Sequence, residues 1–238
     1  PKTKATYINS PTNPSGGALT RADLERIAEI AKARNLWVFS DEAYEDVLFT
    51  GEHVSIASLP GMYERTIPIY TLSKTYAVTG VRVGYIAIHD KVMRARAAKV
   101  ALYTASNVCS IAQYGAIGAL EGPQDCIEEF KTELKIRRDL FYAGLKDVTG
   151  GALSGEPPNG AFYAFVKIDP AWAKSKGLDT GESLSWTVVE HIIKHSRVGC
   201  VPGLDFGPAS EGYIRFCTCR DRKELTGALE SMRTVFAS

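Results

Sequence analysis

The sequence predicts an α/β protein in which a mixed, mostly parallel sheet with helices is followed by a smaller α+β domain at the C-terminus. Three observations predict it. "LWVFS" and "TIPIYTLS" are nearly continuous apolar runs of strand length, the pattern of strands buried on both faces. A helical pattern, "RADLERIAEIAKARN", precedes the first run, and alternation of strand, helix and strand is how parallel strands are connected. Beyond the Gly- and Pro-rich "TGGALSGEPPNG", short strand patterns mix with two helical ones, as in a compact α+β unit.

In chain order, "ATYINS" is a short strand that runs directly into the turn-rich "SPTNPSGG", so the domain opens in mid-sheet and reads as truncated. Thr20 supplies an N-cap and Asp23 an early acid, and Leu24, Ile27, Ala28, Ile30 and Ala31 recur at helical spacing as one buried stripe. "LWVFS" ends at the acidic "DEAYED", "TIPIYTLS" ends at Lys74, and a third strand, "RVGYIAIH", follows. From Asp90 the pattern is helical through "KVMRARAAKVALYTAS", "NVCSIAQYGAIGALEG" and the long "PQDCIEEFKTELKIRRDLFYAGLKDV", which has the length to bridge two domains. The last part reads as the strand "AFYAFVKI", a helix near 182–195, the segments "RVGCVPG" and "GYIRFCTC", and a final helix near 221–236.

Apolar residues make up 45% of the 238, enough for one large or two small cores, which excludes a disordered chain. The 28 basic and 27 acidic residues leave a dispersed net charge of +1, so neither nucleic acid nor an anionic membrane is an expected partner. No apolar run approaches the roughly 20 residues of a membrane helix, and "PKTKATYINS" lacks the signal-peptide pattern. Cytoplasmic localisation is expected. Cys109, Cys126, Cys200, Cys217 and Cys219 lack CxxC spacing and read as free thiols of a reducing compartment; Cys217 and Cys219 would share a strand face and read as ordinary buried thiols. His53, His89, His191 and His195 read as surface histidines; the last two are four apart on a helix but have no acidic third ligand, so no metal site is expected. Ser73 is outside any G-x-S-x-G elbow, and the Gly16–Gly17 pair is outside any phosphate-loop pattern.

The residues that remain point to one kind of chemistry. Asp41 and Lys74 fall at the carboxyl ends of predicted parallel strands, where ligands of such sheets bind, and Arg82 begins the next strand. An amine partly shielded there is a usable nucleophile toward a carbonyl, although position alone favours a surface lysine at a strand end, and it is the company of Asp41 and Arg82 that shifts the reading. A lysine, a carboxylate and an arginine around one crevice match a cofactor with an aldehyde, a ring nitrogen to be kept protonated and a phosphate, which are the handles of pyridoxal 5'-phosphate.

The ordered motifs "NSPTNPSGG", "SDEAYEDV", "TLSKTYAVTGVRVGY", "PPNGAFYAF", "VPGLDFG" and "GYIRF" resemble the class I and II aminotransferase family of fold type I, and the resemblance runs from Ala5 to the C-terminus. It implies an N-terminally truncated member: the remaining part of the cofactor-binding large domain over 1–124, a bridging helix over 125–149 and a small domain over 150–238. By position, the resemblance makes Lys74 the Schiff-base lysine and the proton shuttle, and Asp41 the partner of the pyridine nitrogen. Tyr44 and Asn13 would hydrogen-bond the phenolic oxygen; Arg82, Thr71 and Ser73 would hold the phosphate; and Arg215, a charge inside an apolar strand, would bind the substrate α-carboxylate. Pro202, Gly203 and Gly207 would form a loop near the substrate. For Asn13 a ligand-free turn, and for Arg215 a structural salt bridge, are the alternatives that the residues themselves leave open.

The implied activity is transfer of an amino group from an α-amino acid to a 2-oxo acid, by a family that is homodimeric. A lyase or synthase of the same fold, or an effector domain of a transcriptional regulator, is the alternative. With the first sheet strands missing, unpaired edges and apolar surface are expected.

Overall fold

The computed structural model describes residues 2 to 236. They divide into two compact units, one formed by the chain up to Thr12 with Gly17–Lys131, the other by Asn13–Gly16 with the chain from Thr132 onward.

The first unit is built on β1 (Ala5–Asn9), α1 (Arg21–Ala33), β2 (Trp37–Asp41), β3 (Thr66–Thr71), the single turn α2 (Leu72–Thr75) and β4 (Gly84–Ile86). The strands lie in the order β1-β2-β3-β4, parallel across the first two pairs and antiparallel across the third. The capping box at α1 forms as the sequence requires: the Thr20 hydroxyl accepts the Asp23 N–H at 3.2 Å, and the Asp23 carboxylate accepts the Thr20 N–H at 2.9 Å. Leu24, Ala28 and Ala31 then pack with Val38, Ile56, Leu59 and Met62 as one core on a single face of the sheet. Ile30 was expected in that stripe but is exposed, because it lies about 100° around the helix from Ala31.

"RVGYIAIH" pairs over only three residues, all exposed. The helices that follow, α3 (Lys91–Ala105) and α4 (Ser110–Glu121), form as predicted, but α3 buries no residue and α4 only Ala112. Ile111 at 82% and Tyr114 at 76% exposure mark an uncovered apolar surface within this unit. The long helix α5 runs unbroken over Asp125–Thr149, and the division between units falls inside it, after Lys131.

The second unit holds β5 (Leu153–Ser154), β6 (Tyr163–Ile168), α6 (Pro170–Ser175), α7 (Leu184–Ser196), β7 (Val201–Pro202), β8 (Tyr213–Cys217) and α8 (Arg222–Phe236). Its sheet is antiparallel throughout, in the order β5-β6-β8-β7. Period-two alternation on β8 sends Ile214 and Phe216 into the core, where Phe141 of α5 meets Phe216 with ring centroids 5.4 Å apart. Val188, Ile192, Leu229 and Met232 close that core from α7 and α8. The same alternation leaves Tyr213, Arg215 and Cys217 on the opposite face. Helix α6, which the periodicity does not announce, starts at an Asp169 cap on the Ala171 N–H (2.9 Å) with proline at its first position.

The reading of Cys217 and Cys219 as buried thiols fails, since both are exposed; none of the five cysteines is in a disulfide. Cys217 and Cys219 lie on the outward side and past the end of β8, where the core has no room to claim. No helix among the described residues is long and apolar enough to cross a membrane.

Candidate functional site

Strand direction assembles the first group of side chains. Parallel pairing aligns the carboxyl ends of β2 and β3, with Asp41 beside Ile69, and the antiparallel return of β4 places Gly84 beside Thr71. Asp41, Thr71, Ser73, Lys74 and Arg82 therefore follow from one edge of one sheet, the edge where open α/β sheets bind ligands. Arg82 is reached through a 3-10 turn at Thr79–Val81 and adopts a left-handed conformation, φ +58°, with one guanidinium N–H on the Thr79 carbonyl at 3.0 Å.

Lys74 sits in the short α2 turn, its Nζ 5.9 Å from the centre of the buried Tyr44 ring. The next residue ties this turn to the loop after β2, since the Thr75 hydroxyl donates to Asp46 at 2.7 Å. Thr71 also shapes the backbone here. Its oxygen caps α2 by accepting the Ser73 N–H at 3.2 Å, and its one proton goes to the Val83 carbonyl at 3.3 Å. At 3.3 Å the contact to Val83 is long for a hydroxyl donor, so the Thr71 hydroxyl can turn toward an anion at this edge, where Arg82 is the charged donor.

Asp41 accepts the Ala43 N–H at 3.2 Å and the Tyr7 hydroxyl. Tyr7 shares its strand face with Asn9, the residue in register with Asp41, so β1 delivers the contact. Burial, followed by the hydrogen bond and charge of Asp41, pushes the Tyr7 phenol up to about 12. Tyr7 thus remains a donor to the carboxylate at neutral pH.

The loop bearing Tyr44 is anchored through its neighbours. Glu42, 2% exposed, contacts His53 Nε2 at 2.9 Å and accepts the Ser55 hydroxyl at 2.7 Å. Burial raises its pKa, but hydrogen bonds from His53, Ser55 and Ser40 outweigh that and hold it below the ordinary carboxylate range. His53 is therefore a structural partner and not the surface residue that its isolation in the sequence implied. Glu42, Glu45 and His53 place one ligand atom each within 4.8 Å of one another, but Glu42 is already engaged by His53 and Ser55, which is the bonding of a loop lock.

Glu45 in the same cluster is pushed up to about 7, by burial first and then by Asp46, against the opposing charge of His53. A carboxyl whose folded pKa is raised contributes stability that is complete below its ordinary value of 4.5 and is lost as pH rises to about 7. Glu45→Gln carries no such loss. Over that window the variant is expected to gain on the parent chain by on the order of 1 kcal/mol after solvent screening, read from urea unfolding at each pH; parallel pH curves would contradict the assignment.

In the second unit the centre is Arg215. Its guanidinium carbon lies 4.6 Å from the Tyr163 ring centre and 4.8 Å from that of Phe206, so an aromatic ring covers it from each of two elements. Nη1 donates to Asn13 Oδ1 at 2.7 Å, while Nε is buried with no hydrogen-bond partner. Two turns fix the partners. At Gly16, φ +69°, a Cβ would stand 2.5 Å from the Gly160 carbonyl, and the Gly160 N–H donates to the Gly16 carbonyl at 2.9 Å, so the "NPSG" turn docks on the "PPNG" turn. At Gly203 a Cβ would lie 2.0 Å from the Ser210 carbonyl, so only glycine permits the tight 3-10 turn Gly203–Phe206 that presents Phe206. A buried, unpartnered N–H on a permanently charged group is costly unless an anion takes it, and the guanidinium offers a planar fork to a carboxylate.

The structure thus brings Asp41, Tyr44, Thr71, Ser73, Lys74 and Arg82 into the first unit and Asn13 with Arg215 into the second. Sequence reasoning missed Tyr7, Tyr163 and Phe206. The last two stand inside quoted motifs, but nothing in spacing says which aromatic ring meets an arginine.

This α/β sheet with its lysine-bearing edge and the antiparallel unit with its aromatic-clamped arginine define a class: the chain belongs to the class I and II aminotransferase family, whose model matches residues 1–232. The chain is 38% identical over 238 residues to aromatic-amino-acid aminotransferase 2 of Thermococcus litoralis, covering 99% of this chain and 58% of that protein. It is 35% identical to a probable aspartate aminotransferase of Methanocaldococcus jannaschii, with 99% and 59% covered. Among solved structures, an aromatic aminotransferase from Pyrococcus horikoshii matches with TM-score 0.87 and 38% identity over 99% of this chain and 60% of the other. The chain spans just under three fifths of the length of these relatives.

The family depends on pyridoxal phosphate, and the donor set fits that group. A carboxylate, a primary amine beside a phenol, and an arginine at one sheet edge match its ring nitrogen, aldehyde, phenolic oxygen and phosphate.

Proposed function

We propose that the protein transfers an amino group from an α-amino acid to a 2-oxo acid with pyridoxal phosphate, as a cytoplasmic homodimer. The observation that carries the reading is the Lys74 amine over the buried Tyr44 ring, one turn past the end of β3. When bound, the cofactor supplies an aldehyde for covalent attachment and an electron-poor ring that takes up charge released at the substrate α-carbon. Lys74 would hold the cofactor through its aldehyde carbon and, as a free amine, would move a proton at the substrate α-carbon as general base and acid. Asp41, oriented by Tyr7 and the Ala43 N–H, holds the ring nitrogen's proton; Tyr44 donates to the phenolic oxygen; Arg82 and Ser73, with Thr71 shaping the turn, hold the phosphate. Arg215 takes the α-carboxylate on the edge carrying Nε, and Asn13 aligns it from Nη1.

The exposed apolar side chains of α3 and α4 support association with a second copy, and the five reduced cysteines fit a reducing compartment. Relatives named for aspartate and for aromatic amino acids keep the substrate class at α-amino acids. The test is product stoichiometry with one amino acid and one 2-oxo acid. Equal amounts of the matching new 2-oxo acid and new amino acid are expected. Release of ammonia or of a side-chain fragment without any 2-oxo acid acceptor would overturn transfer in favour of a lyase.

A further inference from the structure

We propose that Cys217 and Cys219 form a redox-modifiable dithiol, which a small-molecule disulfide converts into an intramolecular disulfide. Both residues are exposed, and their sulfurs lie 3.1 Å apart. The intervening Thr218 is fully buried, its N–H and its hydroxyl both on the Phe162 carbonyl at 2.9 and 3.0 Å. That double anchor turns Thr218 inward and sends both cysteines outward on one side, so the pair is presented in a fixed geometry. Arg137 donates to the Cys219 carbonyl at 2.7 Å, which fixes the backbone at the far end of the pair. The hydrogen bond between the two sulfurs, followed by burial, pushes the Cys219 thiol upward. Either exposed sulfur can attack first, and the other then closes the bond.

The exchange balances without any further reagent. One protein thiolate attacks one sulfur of the small disulfide, forming a mixed disulfide and expelling one thiolate. The other cysteine then gives up its proton and attacks the first cysteine's sulfur, forming the internal bond and expelling the second thiolate, which takes that proton; two protein thiols are oxidised and one disulfide is reduced. The bond closes a ring that spans only Thr218 between the two cysteines and stays exposed, and exposed disulfides are the readily reduced ones. Such a bond is a reversible modification, not a staple. Ladder register sets Cys217 opposite Tyr163, one of the rings on Arg215, so the modification falls beside the proposed carboxylate site but does not depend on it.

The test is incubation with oxidised glutathione followed by non-reducing peptide mass mapping. The peptide carrying both cysteines is expected to lose two hydrogens and to regain them with dithiothreitol. Cys217→Ser and Cys219→Ser should each instead carry one glutathione on the remaining thiol. Cys200, shielded and pushed up to about 12 by burial, is the internal reference, and the pair should react at least about tenfold faster. A parent peptide that stays reduced, or that carries glutathione without the internal bond, would overturn the proposal.

Discussion

Replacing Lys74 by methionine is expected to lower amino transfer by about 10³-fold or more, while leaving the fold intact. Methionine matches the stem of lysine but offers neither a nucleophile nor a base. The site gives no substitute: Tyr44, the neighbour of the lysine amine, is buried, and Thr71 has its hydroxyl capping α2. Because one group serves both for attachment and for proton movement, its loss should fall on kcat and kcat/KM together. A small primary amine added to the solution should recover part of the rate by supplying the missing base. Activity within a few fold of the parent would show that Lys74 is only a lysine near a strand end.

Arg215→Lys should raise KM for the amino acid by about 10²-fold, equivalent to ~2.7 kcal/mol, with little change in cofactor retention. The substitution keeps the charge, so an argument from charge alone predicts almost no effect. Geometry predicts a large one, because the planar guanidinium packs within 4.8 Å of the Tyr163 and Phe206 ring centres, with one nitrogen on Asn13 and Nε left for a ligand. An ammonium cannot fill that slot and present two parallel donors. Leaving Asn13 Oδ1 without its donor adds to the cost. Unchanged KM in Arg215→Lys would place Arg215 in a purely structural role.

Much of this architecture was legible in the sequence, and the exceptions have physical causes. The Thr20 cap, the buried runs at β2 and β3, and the long helix Asp125–Thr149 follow from local chemistry and period, which short windows record faithfully. Strand direction is not local: "RVGYIAIH" looks the same whether it runs parallel or antiparallel, and its short return next to Thr71 is set by the turn before it. The apolar residues of α3 and α4 have helical spacing, but spacing does not say whether anything covers them. At the proposed site, Asp41 and Lys74 stand out in the sequence because strand ends are where such sheets bind ligands. Tyr7 does not, because its contact with Asp41 depends on the register between β1 and β2. The exposed Cys217 and Cys219 were misread for a related reason, since free cysteine is usually buried and only the face of β8 decides otherwise.

The central claim is that Lys74 is the residue to which the cofactor attaches. Incubation with pyridoxal phosphate, borohydride reduction and peptide mapping test it most directly. A pyridoxyl label concentrated on Lys74 and absent from the Lys74→Met variant is expected. A label distributed over other lysines, and unchanged in that variant, would contradict it.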